Sequence, residues 1–342
     1  MARKRATSLE VAREAGVSRT TVSLVLNQVP RSGIPETTKR RVEAAAKRLN
    51  YHPNVSGQRL ASGRTKTLAF VVHQSADQAA ADLFMPEVLR GLNSFLSAKG
   101  YHILYQPVDP ENASTGYAYL IYQGHVDGII LSGPQLEEAE AVTLYEQHLP
   151  IVITGKLPNH DVPFVDADNY EGARGATNHL INLDHQNIGL ITNGPLTYLA
   201  SRQRFWGYQD ALLGADLDYE PSLVREGCFT SESGYWAMNE LLKQPEEITA
   251  VFAASDVVAF GAIQAIKESG MTIPNDLAVV GFDDVSFARY VEPLLTTVQL
   301  PAYDIGWETG AMCLAQIEDN NGNCNGKHLS TKLIIRDSCG AK

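Results

Sequence analysis

The stretch from Thr7 to Gln28, TSLEVAREAGVSRTTVSLVLNQ, carries the side chains best spaced for recognition chemistry. Arg19, Thr20, Ser23 and Leu24 take the outward positions of a short helical pattern whose inward positions are Val22, Val25 and Leu26. An exposed helix start with short side chains is what a DNA major groove admits. A first helix and a tight turn must position it. Thr7 and Glu10 have the S/T-x-x-E spacing of a capping box, so the first helix begins near Ser8. Val11, Ala12 and Ala15 give that helix one apolar face. Gly16 supplies a positive φ without a Cβ clash, Val17 anchors the turn, and Ser18 N-caps the second helix. An ordinary helical hairpin fits the same spacing and stands as the alternative.

No stretch offers catalytic spacing of comparable clarity. The chain contains no G-x-S-x-G nucleophile elbow, no H-E-x-x-H zinc helix and no Walker A loop. The nearest glycine-rich decoy, GNCNGKH at 322–328, has the wrong spacing and no Ser or Thr after its Lys. Cys228, Cys313, Cys324 and Cys339 lack C-x-x-C spacing and read as ordinary reduced thiols. The sequence therefore implies no enzyme, no cofactor and no metal.

Charge separates the chain into two parts. The formal net charge is −11, which argues against a general nucleic-acid binder. Residues 1–66, however, hold 14 Lys and Arg against 4 Asp and Glu, and the remainder holds 14 against 35. A basic head on an acidic body implies that only the head meets phosphates. MARKRATS lacks the apolar segment of a signal peptide, and no apolar run approaches the ~18 residues of a membrane span. The segment 250–266 is interrupted by Ser255, Asp256 and Gln264, so it reads as a buried strand entering a helix. The expected setting is cytoplasmic, with no membrane partner.

A third helix completes the head. Pro35 fits its first turn, Val42, Ala45, Ala46 and Leu49 recur at helical spacing, and Lys39, Arg40, Arg41, Lys47 and Arg48 line the other side. Asn54 to Gly63, NVSGQRLASG, reads either as a short capped helix or as a plain linker. From Thr67 onward, apolar strand-like runs alternate with helical ones. Strands are expected at 68–72, 101–107, 126–131, 150–155, 187–192, 223–227, 249–255 and 276–284. Helices are expected at 86–100, 115–123, 135–148, 169–183, 201–213, 231–243 and 256–269. Strands that are apolar throughout belong in parallel sheets covered on both faces. There are too many units for one sheet, so the body is predicted to be two doubly wound α/β lobes with a cleft between them, the ligand lying beyond the strands' carboxyl ends.

The motifs VAREAGVSRTTVSLVLN (11–27), LNYHPN (49–54), DNYEGARGATNHLI (168–181), RFWGY (204–208) and ASDVVAFGAIQAIKESGMTIPNDLAVVGFDD (254–284) resemble the lactose-repressor/galactose-repressor (LacI/GalR) family of bacterial transcription regulators. The resemblance spans nearly the whole chain, in the family's order. It implies a helix-turn-helix head over 1–53 and a hinge helix and linker over 54–66. It implies a periplasmic-binding-protein type body over 67–342, with lobe 1 at about 67–163 plus 297–323 and lobe 2 at about 164–296 plus 324–342. It also implies a homodimer whose heads occupy adjacent major grooves of a palindromic operator.

The resemblance assigns roles residue by residue. Ser18, Thr21, Ser23 and Asn27 match phosphate-contacting positions, and Arg19 and Thr20 match base-reading ones. Leu24 departs from the arginine many members carry; leucine gives no hydrogen bond but can touch a thymine methyl. Asn54 joins the DNA-binding set. Leu60 and Ala61 match the hinge pair whose leucine wedges into the minor groove, and Gly57 departs from the usual alanine there. In the body, Arg204, Asp283 and Phe229 match residues that hold an effector's polar groups and stack on it. Phe84, Met85 and Ser132 join them, as does Ser255, which replaces a usual Asn. Phe84 and Phe229 also read as core aromatics, Arg204 as a salt-bridge partner and Asp283 as a strand-end cap.

The implied function is a repressor of a carbohydrate-utilisation operon, released from operator DNA by a small sugar-like effector in the cleft. A corepressor-dependent regulator, an enzyme and a transport-type binding protein are the competing readings. The segment LIIRDSCGAK (333–342) begins no leucine heptad, so a dimer is expected and not a tetramer.

Overall fold

The structure, a computed structural model, describes residues 6–27, 33–52, 63–109, 116–245, 247–318 and 326–341. It divides into two units, Met1–Thr65 and Lys66–Lys342.

The first unit is built on α1 (Ser8–Ala15), α2 (Arg19–Leu26) and α3 (Glu36–Arg48). The capping box forms: Thr7 accepts from Glu10 N, and the Glu10 carboxylate accepts from Thr7 N at 2.7 Å. Gly16 has φ 63°, the left-handed conformation the tight turn requires. Val11, Ala15, Val22, Val25, Val42 and Ala45 close a small core, with Val17 and Leu26 half-buried at its edge. Pro35 stands one residue ahead of α3, at its N-cap. An Arg48–Glu14 ion pair of 2.7 Å joins α3 to α1. The expected hinge residues Asn54, Gly57, Leu60 and Ala61 lie outside the described residues.

The second unit starts with β1 (Thr67–Val72), α4 (Ala76–Ala81), α5 (Met85–Ala98), β2 (His102–Pro107), α6 (Tyr119–Tyr122), β3 (Gly128–Ser132), α7 (Ala139–Glu146), β4 (Ile151–Thr154) and β5 (Phe164–Ala167). It continues with α8 (Asn169–Ile181), β6 (Ile188–Ile191), α9 (Leu199–Gly214), β7 (Val224–Arg225), α10 (Ser231–Leu241), β8 (Ala250–Ala253), α11 (Asp256–Glu268), β9 (Ala278–Asp283) and β10 (Thr296–Gln299). It ends with α12 (Ala302–Glu318), β11 (Lys327–Leu329) and β12 (Lys332–Ile334). The strands form two six-stranded sheets, ordered β11-β5-β4-β3-β1-β2 and β12-β10-β9-β8-β6-β7. Every pairing is parallel except that of β12 with β10. Leu68 to Val72, Ile129 to Leu131 and Ala250 to Ala253 are buried throughout, as strands covered on both faces must be.

The lobe boundaries differ from those expected near 163, 296 and 323. β5 still belongs to the first sheet, so the chain first crosses after Ala167. β10 belongs to the second sheet, so it returns after Gln299. The boundary expected at 323 falls outside the described residues, but β11 runs beside β5 in the first sheet, and the last crossing follows Leu329. These strands have three or four residues and polar members (FVDA, TTVQ, KHL), which leaves no apolar run to read. The helix expected over 115–123 is the single turn Tyr119–Tyr122, and that expected over 135–148 starts at Ala139 because Gln135 pairs with Tyr198. α4 and α12 had no expected counterpart.

Candidate functional site

On the first unit, α2 carries the candidate DNA-reading residues. Ser18 accepts from Thr21 N at 3.1 Å, and the two hydroxyl oxygens lie 2.9 Å apart. Arg19, Thr20 and Ser23 are exposed, with Leu24 half-buried beside them. Arg19 Nε donates to Ser8 Oγ at 3.3 Å, which rests the guanidinium on the first turn of α1. Asn27 closes α2 and donates to Ser23 Oγ at 3.1 Å. The seven candidates from Ser18 to Asn27 thus share one helix and its two ends. Asn54, Leu60 and Ala61 are outside the described residues.

On the second unit, the carboxyl ends of both sheets open into one cleft of about 1100 Å³, counting the space continuous with solvent. All seven candidate effector residues line it: Phe84, Met85, Ser132, Arg204, Phe229, Ser255 and Asp283. Phe84 and Met85 start α5, and Ser132 ends β3 with its Oγ 3.8 Å from Met85 Sδ. Ser255 is the N-cap residue of α11. Phe229 sits in the loop after β7 with φ 59°, its N–H donating to Asn193 O at 2.8 Å. Its ring lies so close to Gly194 that a Cβ there would run into it. Asp283 ends β9 with φ 116°, a conformation that side-chain-bearing residues adopt only where surrounding contacts hold it.

Those contacts centre on Arg204, which projects from α9 and is buried. Its Nε donates to Asn169 Oδ1 at 2.9 Å, and its Nη1 donates to Ala254 O at 2.6 Å and to Asp283 Oδ1 at 3.4 Å. Its guanidinium lies 4.0 Å above the Phe282 ring. Asp256, behind the cleft, accepts from Thr297 Oγ1 at 2.5 Å and Val285 N at 2.9 Å, pinning the turn that follows Asp283. Arg336 Nη2 donates to Asp284 Oδ1 at 2.6 Å from the other side.

The electrostatics follow from crowding carboxylates in a desolvated space. Burial pushes Asp283 up to about 7, against the pull of Arg204 and with a further push from Asp82. Burial likewise raises Asp166 to about 7, opposed by a hydrogen bond from the Ala167 backbone and by the Arg204 charge. Burial lowers Arg204, opposed by Asp283, Asp166 and Asp256. Burial lowers His73 to about 4, which keeps it neutral.

The cleft also gathers residues that the sequence reading missed. Among the described residues, five buried side-chain atoms have no hydrogen-bond partner, and four belong to cleft residues: Gln74 Oε1, Asn193 Oδ1, Gln203 Oε1 and His73 Nδ1, the last with the Glu138 carboxylate 3.3 Å away. Buried polar atoms are paired as a rule, so such a concentration marks groups prepared for a ligand or ordered water. The available signal was position: His73-Gln74 and Asn193 each follow an apolar strand, VV and LIT, at its carboxyl end.

Comparisons with known proteins bear on both units. The pattern of bacterial regulatory proteins, lacI family, matches residues 8–54, and that of the periplasmic binding protein-like domain matches residues 177–339. The HTH-type transcriptional regulator CelR of Thermobifida fusca is 36% identical over 344 residues, covering 99% of this chain and 100% of that protein. The chain belongs to the LacI family of bacterial regulatory proteins. It is accordingly a DNA-binding transcriptional regulator and not an enzyme. The HTH-type transcriptional repressor CytR of Escherichia coli is 31% identical, covering 98% of this chain and 97% of that protein. A solved CelR–cellobiose complex is 34% identical with a TM-score of 0.74, covering 98% of this chain and 100% of that one. The lac repressor dimer bound to operator and the anti-inducer ONPF is 27% identical with a TM-score of 0.84, covering 99% and 100%.

Proposed function

We propose that the chain is a cytoplasmic, homodimeric repressor that leaves its operator when a small sugar-like effector fills the cleft. The observation that carries this reading is the set of unpaired buried polar atoms on residues that line the same cleft as Arg204 and Asp283. A polyhydroxylated ligand donates and accepts at closely spaced positions, which suits acceptors on Gln74, Asn193 and Gln203 and the carboxylate of Asp283. Phe229 offers an aromatic face to the apolar side of a sugar ring. A relative solved with cellobiose supports the carbohydrate class, and the lac repressor dimer on its operator supports a two-headed arrangement in which Arg19, Thr20 and Leu24 face base edges. Regulation of a carbohydrate-utilisation operon follows from that effector class.

The test is fluorescence anisotropy with DNA upstream of the protein's own operon, titrated with and without cellobiose, glucose and related sugars. Nanomolar binding that weakens as a sugar is added is the expected result. Binding that tightens with the added ligand assigns a corepressor instead, and indifference to every carbohydrate removes this reading.

A further inference from the structure

Tyr198 joins the two lobes and the ligand space at one residue. It precedes α9, in the second lobe, and its side chain is buried against the first. Its hydroxyl donates to the carbonyl oxygen of His73, at the end of β1, at 2.8 Å. Its backbone pairs with Gln135, and next to it Leu136 N donates to Thr197 O at 3.0 Å, so a short antiparallel contact ties the segment after β3 to the segment before α9. Both attachments on the first lobe converge on Glu138. One of its oxygens accepts from Gln135 N at 3.2 Å and lies 3.3 Å from His73 Nδ1; the other accepts from Tyr117 OH at 3.0 Å. The Tyr198 ring lines the cleft and meets Phe229 edge-to-face, with centroids 5.1 Å apart at 79°.

We propose that Tyr198 is the latch that converts occupancy of the cleft into closure of the lobes, and that with Phe229 it sets which effectors are accepted. The ring and the hydroxyl have separate tasks. Because the hydroxyl is committed to His73 O, the ring presents carbon to the ligand, and the corner it forms with Phe229 selects a ligand with an apolar ring face. The hydroxyl bond and the Gln135 pairing exist only when the lobes are close, so a ligand held between Tyr198, Phe229 and the first lobe stabilises the state in which they form. Effector affinity and the latch are then linked reciprocally. Glu138 is a positioning residue: it holds Gln135 and the His73 segment in register and does not line the cleft. This inference rests on the cleft being the effector's seat.

The experiment compares full-length wild type with Tyr198→Phe and Tyr198→Leu. It reads cellobiose binding by calorimetry and release from operator by anisotropy. Tyr198→Phe keeps the ring and removes one hydrogen bond, so cellobiose binds roughly two- to tenfold more weakly, and half-release from operator moves to higher cellobiose by the same factor. Operator affinity without sugar stays within twofold. Tyr198→Leu also loses the aromatic wall and binds cellobiose more weakly than Tyr198→Phe. A Tyr198→Phe protein matching wild type in both readouts overturns the latch and leaves the cleft assignment standing. A parallel loss of melting temperature and sugar-free operator affinity overturns it in favour of a merely structural tyrosine. A wild type that binds neither cellobiose, glucose nor any related sugar overturns the cleft assignment, and the latch with it.

Discussion

Arg204 is engaged by Asn169, Ala254, Asp283 and the Phe282 ring with no ligand needed. The salt-bridge reading is thus what the contacts show, and the same side chain lines the cleft, which leaves it open to the effector role proposed above. Removing one member of a buried ion pair strands the other. Arg204→Ala is therefore expected to lower stability by about 3–5 kcal/mol in denaturant titration, as well as to abolish the response to sugar. A loss under 1 kcal/mol would show that Asp283 finds another partner. At the other end of the chain, Leu24 stands half-buried beside exposed Arg19 and Thr20. With no donor, it is expected to favour thymine or tolerance at the base pair that the proposed docking sets opposite it. Leu24→Arg is expected to shift that position toward guanine by about 1–3 kcal/mol in a selection from randomised operators. The same half-site from both proteins would rule out direct readout by this residue.

Helix packing separates the glycines into two kinds. α5 and α12 cross so closely that a Cβ on Gly306 would fall on the Val88 carbonyl oxygen, while Gly91 faces the Tyr303 carbonyl in the same way. Gly175, on the exposed side of α8, has nothing near it. Two alanine substitutions should therefore have opposite signs. Gly306→Ala forces the helices apart and is expected to cost about 1–3 kcal/mol. Gly175→Ala removes only backbone freedom and is expected to stabilise by about 0.5–1 kcal/mol. Chemical denaturation of the two variants checks both, and equal effects would contradict the packing.

Across the whole molecule, charge and proton binding give two dependences on solution conditions. Residues 1–66 carry a large basic excess and the rest a large acidic one. Operator affinity should fall steeply with salt, with a log–log slope of several units, since each neutralised phosphate contributes roughly 0.9; a slope near zero for specific binding would reject docking through phosphates. For pH, Glu138 is raised from 4.5 to about 7, mainly by burial, and Asp166 and Asp283 are raised from 3.8 to about 7. Each holds its proton in the folded state after the unfolded chain has released it. Their contributions are therefore present at low pH and are lost as pH climbs from about 4 through 7. His73, lowered from 6.5 to about 4, acts oppositely and adds stability as pH rises across that span. Burial also raises Asp256 and lowers His185, and four acids outweigh two histidines, so the sugar-free protein is expected to melt at lower temperature at pH 8 than at pH 5. Glu138→Gln should narrow that difference; an unchanged difference would mean that Glu138 titrates normally.

What the sequence determined by itself was local or statistical. The capping box at Thr7, the φ of Gly16 and the Ser18 cap act across four residues or fewer, so the head was readable from spacing alone. Long apolar runs such as LAFVV and TAVFA announced two parallel sheets because strands buried on both faces need no polar alternation. The roles of Arg204, Asp283 and Phe229 came from resemblance, and no spacing linked them. Tertiary structure decided the rest. Short polar strands such as β5, β10 and β11 acquire strand character only from neighbours already in place, and they alone determine where the chain crosses between lobes. Tyr198 and His73 are separated by 125 positions, and the four unpaired polar atoms of the cleft come from three separate places: the segment after β1, the segment after β6 and α9. A strand-end position in the sequence marks His73, Gln74 and Asn193 singly, but their chemistry depends on convergence in a desolvated space, which arises only when two sheets bring their carboxyl ends together.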